Sequence, residues 1–211
     1  MLLLVTAVDA EASVLEGIPD TVVVVGGIGR TNAASAVTEH ILRLGVSAIQ
    51  GVVSVGVGGV LPDSILKIGD VVWGEQSVYV EEGMNTQEGF VDIEGMGLTL
   101  GATRGNVMLP DEHLANACKA LLPGVCIATV ATCSGTDESA ALVHARTGAD
   151  VEAMEGAAVL HAAARLGVGA IEVRALSNTT GERASQRWDL NAALTALGNT
   201  MPSLCTAMLA R

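Results

Sequence analysis

Aromatic side chains are scarce: Trp73, Tyr79, Phe90 and Trp188 are the whole complement among 211 residues. A core must therefore be built from Val, Leu, Ile and Ala, and with half of the residues hydrophobic there is enough material for a large one. Basic residues are also few, 11 Lys and Arg against 23 Asp and Glu, giving a formal net charge of −12. No Lys/Arg run occurs, which disfavours nucleic acid and anionic membranes as partners, because both are bound through clustered positive charge. The four cysteines (Cys118, Cys126, Cys133, Cys205) show no CxxC spacing and the four histidines are scattered. The thiols read as free cysteines of a reducing cytoplasm, and no metal site is expected. No apolar run reaches the roughly 18 residues needed to span a bilayer. Met-Leu-Leu-Leu-Val at the start lacks a basic flank and is broken by Asp9 and Glu11, so it reads as a buried strand rather than a signal peptide.

The apolar and small-residue segments alternate in type. Strands are predicted over 2–8, 21–25, 48–55, 68–80, 124–132, 149–155 and 169–176. Between them, helices are predicted over 10–16, from a Thr31 cap to a Gly45 stop, from Pro110 to Leu121, from a Thr136 or Asp137 cap to Gly148, over 156–166, and from Asp189 to Leu209. The polar, Gly-rich stretch 81–105 reads as an excursion over a site. Strands alternating with helices predict an α/β fold: one domain over residues 1–211 with a twisted, mixed, mostly parallel β-sheet flanked by helices.

Ligands of such sheets bind where strand ends face helix starts. The stretch 151–181 supplies both: Glu155 opens a small-residue helix, and Ser177-Asn178 ends the strand that follows. A dinucleotide fingerprint is not completed, since Gly27-x-Gly29 is followed by Asn32 and Gly56-x-Gly58 by Leu61 where a third small residue belongs. What the glycines allow is close approach of backbone to a flat ligand. Glu11, after the first strand, reads either as a solvated carboxylate at a helix start or as a general base for water. Glu155 has the same capping alternative, but its flanks are apolar, and a carboxylate there can accept protons from the two hydroxyls of a ribose. Met154 reads as core packing, and Asn178 by itself as a turn residue.

Several of these segments together resemble the purine nucleoside phosphorylase and nucleosidase superfamily. They are Ala7-Val8-Asp9-Ala10-Glu11, Gly27-Ile28-Gly29-Arg30-Thr31-Asn32, Gly56-Val57-Gly58-Gly59 with Lys67-Ile68-Gly69-Asp70-Val71-Val72, Met154-Glu155-Gly156-Ala157, and Arg174-Ala175-Leu176-Ser177-Asn178. Within it, Glu81-Glu82-Gly83-Met84, Glu88-Gly89-Phe90-Val91-Asp92-Ile93 and Ser177 to Arg183 with Trp188 resemble the futalosine hydrolases of the alternative menaquinone pathway. The resemblance implies hydrolysis of the N-glycosidic bond of a small-molecule nucleoside, with hypoxanthine leaving, in a homo-oligomer without metal or organic cofactor. It assigns Glu11 and Asn178 to catalysis, Met154 and Glu155 to ribose, and Val57, Gly58, Ser177 and Asn178 to the purine. A carboxylated substrate tail would be met by Arg30, Arg183 or Arg187. Two positions depart from the nucleosidase branch. Ala153 stands where a second glutamate is found, and Thr136-Asp137-Glu138 stand where a stacking Phe is found, which turns attention to Phe90 or Trp188. A methylthioadenosine/S-adenosylhomocysteine-type nucleosidase, a 6-oxopurine phosphorylase and a silent nucleoside-binding protein are the alternatives.

Overall fold

The computed structural model describes residues 1–101, 103 and 105–210. Strand β1 (Leu2–Thr6) is buried along its whole length, which explains its unbroken run of apolar residues. Leu2 and Leu4 face one core with Val53, Val55, Ile171 and Val173, while Leu3 and Val5 face another with Val52 and Ala170. The first core is closed by α3 (Glu112–Lys119) and α6 (Leu190–Leu209), the second by α2 (Arg30–Leu44) and α5 (Gly156–Arg165). The period-2 alternation of the strands thus serves helices on both faces of one sheet.

On one edge β1 pairs in parallel with β2 (Thr21–Val25), and on the other with β3 (Gly51–Val60). From β3 the pairing runs to β10 (Ala170–Thr179), β4 (Val71–Tyr79), β8 (Gly124–Thr129) and β9 (Val151–Ala153), and β9 returns to β3. The β1–β2, β1–β3, β3–β10, β4–β8 and β8–β9 pairs are parallel, and the others are antiparallel, so the expected mixed, mostly parallel sheet is found. The last recorded β1 partner on β3 is Ser54, and β9 joins at Gly59. Between these points one edge of β3 is open, and the site is built into that gap.

Most predicted elements are present with shifts of a few residues. Thr136 caps α4 (Asp137–Thr147) by accepting from the Ser139 N–H, and Gly148 ends it in the left-handed conformation; a cap of this kind contributes about 1 kcal/mol. Pro110 lies outside α3, whose cap is Asp111. Strand β3 does not stop at Val55 but runs on through the glycines to Val60. The stretch 81–105 forms a hairpin of β5 (Gly83–Thr86) and β6 (Gly89–Asp92), followed by turns and by β7 (Val107–Met108) beyond it. The short helix α1 (Asp9–Ser13) completes the set. No helix among the described residues is long and apolar enough to cross a membrane.

Candidate active site

Glu11 reaches the open edge of β3 from α1. It is 3% exposed, and its Oε1 accepts the Val57 N–H at 2.8 Å while Oε2 accepts those of Ala7 and Val8 at 2.9 and 3.3 Å. The Val57 donor is available because β1 has already left β3. Gly56 makes the approach possible: a Cβ there would collide with the Glu11 carboxylate and stand 2.7 Å from an Arg174 guanidinium nitrogen. The glycines of this segment therefore clear space for side chains inside a strand, instead of ending it in a turn.

Glu155 caps α5 with no capping bond of its own. Its Oε1 accepts the Gly29 N–H at 3.0 Å, from the residue that opens α2, and its Oε2 lies 3.4 Å from Arg174. Arg174 is 1% exposed and also donates to Glu172 at 2.8 Å and to Ser54 at 2.9 Å. Burial works to lower the Arg174 pKa, and the negative charges of Glu172, Glu155 and Glu11 outweigh it and raise it. One guanidinium thus stands behind three carboxylates, two of which face the cavity.

Asn178 is aimed by an irregularity in β10. The register with β3 shifts between Leu176 and Asn178, so Ser177 is the extra residue of a bulge, a device that re-aims a neighbouring side chain. The Ser177 hydroxyl donates to Asn178 Oδ1 at 2.8 Å, and Asn178 Nδ2 donates to the Thr179 carbonyl at 3.0 Å. An amide nitrogen carries two hydrogens, which leaves one for the cavity.

Glu11, Glu155 and Asn178 line a cavity of about 460 Å³, together with Val57, Gly58, Met154, Ser177 and Arg183. Arg30 and Arg187 are not among its lining residues. Arg30 is bound to Glu82 at 2.7 Å and Glu81 at 3.2 Å. Arg187 is exposed outside the cavity. Of the two aromatic candidates Trp188 lines it, held beside Asn178 by a backbone bridge, with the Arg183 guanidinium 5.0 Å from its ring centroid. Phe90 instead meets Arg146 at 4.3 Å in a larger cavity of about 770 Å³ under the hairpin. No described residue of 81–105 lines the cavity that holds the carboxylates, so the hairpin stands beside this site rather than over it.

A model of the phosphorylase superfamily matches residues 17–210. The futalosine hydrolase of Streptomyces coelicolor is 32% identical over 184 residues, covering 86% of this chain and 76% of that protein. That of Thermus thermophilus is also 32% identical, covering 84% and 78%. The chain belongs to the phosphorylase superfamily, in its futalosine hydrolase family. Solved structures agree on the fold. A native Helicobacter pylori futalosine hydrolase superposes with a TM-score of 0.75 at 18% identity, covering 99% of this chain and 96% of that one. A Neisseria meningitidis 5′-methylthioadenosine/S-adenosylhomocysteine nucleosidase in complex with methylthio-immucillin-A gives 0.76 at 18% identity, covering 97% of both chains.

Against this family background, two groups at the site are ones to which the sequence assigned no role. Arg174 stood in a quoted motif without a role. Its signal was a Glu172-x-Arg174 pair inside an apolar run, since residues two apart in a strand share a face. Glu152, one position from the glutamate sought at Ala153, lines the cavity at 6% exposure and accepts from the Ser134 N–H at 2.9 Å and the Ser134 hydroxyl at 2.6 Å. Burial pushes its carboxyl pKa up, and the two Ser134 bonds act against that.

Proposed function

We propose that this protein hydrolyses the N-glycosidic bond of futalosine, releasing hypoxanthine and dehypoxanthine futalosine in the alternative menaquinone pathway. The observation that carries this reading is the convergence of Glu11, Glu155 and Asn178 on one cavity in a futalosine hydrolase family member. The ribose hydroxyls bind Glu155, whose charge also stabilises the oxocarbenium-like sugar as the bond lengthens. Met154 packs against the ribose. Asn178 donates to the departing base, with Val57, Gly58 and Ser177 lining the purine's place. Water attacks the anomeric carbon and gives its proton to Glu11. Of the three arginines considered for the substrate carboxylate, Arg183 is the one retained, because it alone lines the cavity.

Charge separates hydrolysis from phosphorolysis. A phosphate dianion beside the sugar needs a free cation or backbone donors. Arg174 is already shared among Glu11, Glu155 and Glu172, so the site presents net negative charge to an anion. The four free cysteines fit a reducing cytoplasm, and exposed apolar side chains such as Met96, Leu98 and Leu109 fit a homo-oligomer.

The test is purine release from futalosine, aminofutalosine, methylthioadenosine and inosine, each with and without phosphate. Hypoxanthine from futalosine at an unchanged rate without phosphate is the expected result. Strict phosphate dependence would make the protein a phosphorylase, and silence on all four would leave a nucleoside-binding protein. Asn178→Asp is expected to lower futalosine turnover by about 10²-fold, the cost of one transition-state donor, and to move preference toward the 6-amino substrate. An unchanged preference would remove Asn178 from base recognition.

A further inference from the structure

Three adjacent strands place a second polar group opposite Asn178. Gly59 of β3 is the register partner of Asn178 on β10 and of Glu152 on β9. Register partners project to the same face, so Glu152 and Asn178 stand on one face, two strand spacings apart, about 10 Å at the backbone. Between them Gly59 has no side chain. A Cβ there would come 3.0 Å from the Asn178 amide nitrogen and 2.8 Å from Thr180 Cγ2, so that amide leans over the glycine. All three residues line the same cavity. The result is a slot with a glycine floor, an N–H donor at one wall and a carboxylate at the other.

Among the described residues no Lys, Arg or His lies within ion-pair distance of Glu152. Among the described residues its only hydrogen bonds are the two from Ser134, one to each oxygen, and each oxygen keeps a lone pair. Ser134 is itself fixed, because its carbonyl accepts from Gln186 Nε2 at 3.0 Å. An unpaired buried charge is costly for a fold, and a leucine would fill the same space without that cost. A positioned acceptor at the wall of a ligand slot gives the carboxylate a use.

We propose that Glu152 determines base specificity, its carboxylate accepting the N1–H of a 6-oxopurine while Asn178 donates to O6 or N7 at the other edge. This deepens the nucleosidase reading and rests on it. Asn178 discriminates only through position 6, where O6 accepts its N–H and an amino group does not, because N7 is an acceptor in both 6-oxo- and 6-aminopurines. N1 offers a second difference: it carries a hydrogen in hypoxanthine and a lone pair in adenine. A carboxylate facing that lone pair repels it, and neither group finds a partner. Sites that hydrogen-bond a substrate group in this way reject the analogue lacking it by about 10⁴-fold. Ser134 is the positioning residue, acting through Glu152.

The experiment compares wild type and Glu152→Gln on futalosine and aminofutalosine, and measures by calorimetry the binding of free hypoxanthine and adenine to both. Gln keeps the shape but presents an N–H, which suits adenine N1 and opposes hypoxanthine N1–H. The expected result is a fall of at least about 10²-fold in the futalosine to aminofutalosine ratio of kcat/KM, with the base affinities shifting the same way. A uniform loss on both substrates, with ratio and base preference unchanged, overturns the assignment and makes Glu152 structural. If Glu152→Gln does not fold, Ser134→Ala is measured in its place. A fall of about 10-fold in the ratio is expected there, and an unchanged ratio overturns the proposal equally. Wild type that cleaves neither substrate and binds neither base overturns the nucleosidase reading as well, whereas an unchanged ratio in an active futalosine hydrolase overturns the role of Glu152 alone.

Discussion

Glu11→Gln is expected to turn over futalosine about 10²–10⁴-fold more slowly than the wild type, with KM changed only a few-fold. The carboxylate stands at the gap where β1 has left β3, and it holds three backbone N–H groups at 2.8 to 3.3 Å. Gln matches its volume and can still accept from part of that set through its carbonyl oxygen. It cannot take a proton from water, and its own N–H groups face donors on at least one side. The cavity walls that hold ribose and base come from other elements, β3, β9, β10 and the start of α5, so binding should survive. Single-turnover kinetics with excess enzyme isolate the chemical step from binding, and a melting curve controls for the disturbed hydrogen bonds. Near-normal single-turnover rates would show that another group activates the water, and would leave Glu11 as the residue that closes the open edge of β3.

Much of this arrangement was legible in the order of residues. Thr21–Val25, the Gly45 stop, the Thr136 cap and the Asp189 start of the last helix are set by local chemistry: β-branched runs, left-handed glycines and side-chain acceptors for free N–H groups. Glu11, Glu155 and Asn178 could be picked out because each is polar at the end of an apolar segment, and the structure brings all three to one cavity. Long-range contacts were not legible. Gly56, Gly58 and Gly59 look like a turn in the chain, yet they are strand residues whose missing side chains make way for Glu11 and Arg174, for Val151, and for Thr180 and Asn178. No local pattern says which distant residue needs the room. The same holds for Glu152, whose meaning lies in sharing Gly59 with Asn178 across two strand pairings. It holds too for Arg30, one of the three arginines offered to a substrate carboxylate, whose partners are Glu81 and Glu82.

Arg174→Met should have the largest effect on stability. Arg174 and Glu172 are 1% and 0% exposed, and the substitution leaves Glu172 buried with Ser77 as its remaining side-chain partner among the described residues. Breaking a buried pair from one side costs about 3–5 kcal/mol, because the surviving charge is uncompensated. In a chain of this size that is a fall in melting temperature on the order of 10 °C. The pH dependence has a definite sign. Burial pushes the Glu172 carboxyl up from its ordinary value, and Arg174 is the largest influence opposing this, so its removal moves the group further up. A carboxyl raised in the folded state contributes stability that is present below its unfolded value, about 4.3, and lost as pH rises through the folded value. The deficit of Arg174→Met against wild type should therefore be smallest near pH 5 and grow toward pH 8, as read by melting temperature across that range. Glu172→Leu added to Arg174→Met removes the stranded charge and should restore most of the stability. It should not restore turnover, because Glu11 and Glu155 would still lack the cation they share. Recovery of both together would mean that Arg174 serves only the packing of β10. A single variant as stable as wild type at pH 8 would mean that Glu172 is neutral in the folded protein.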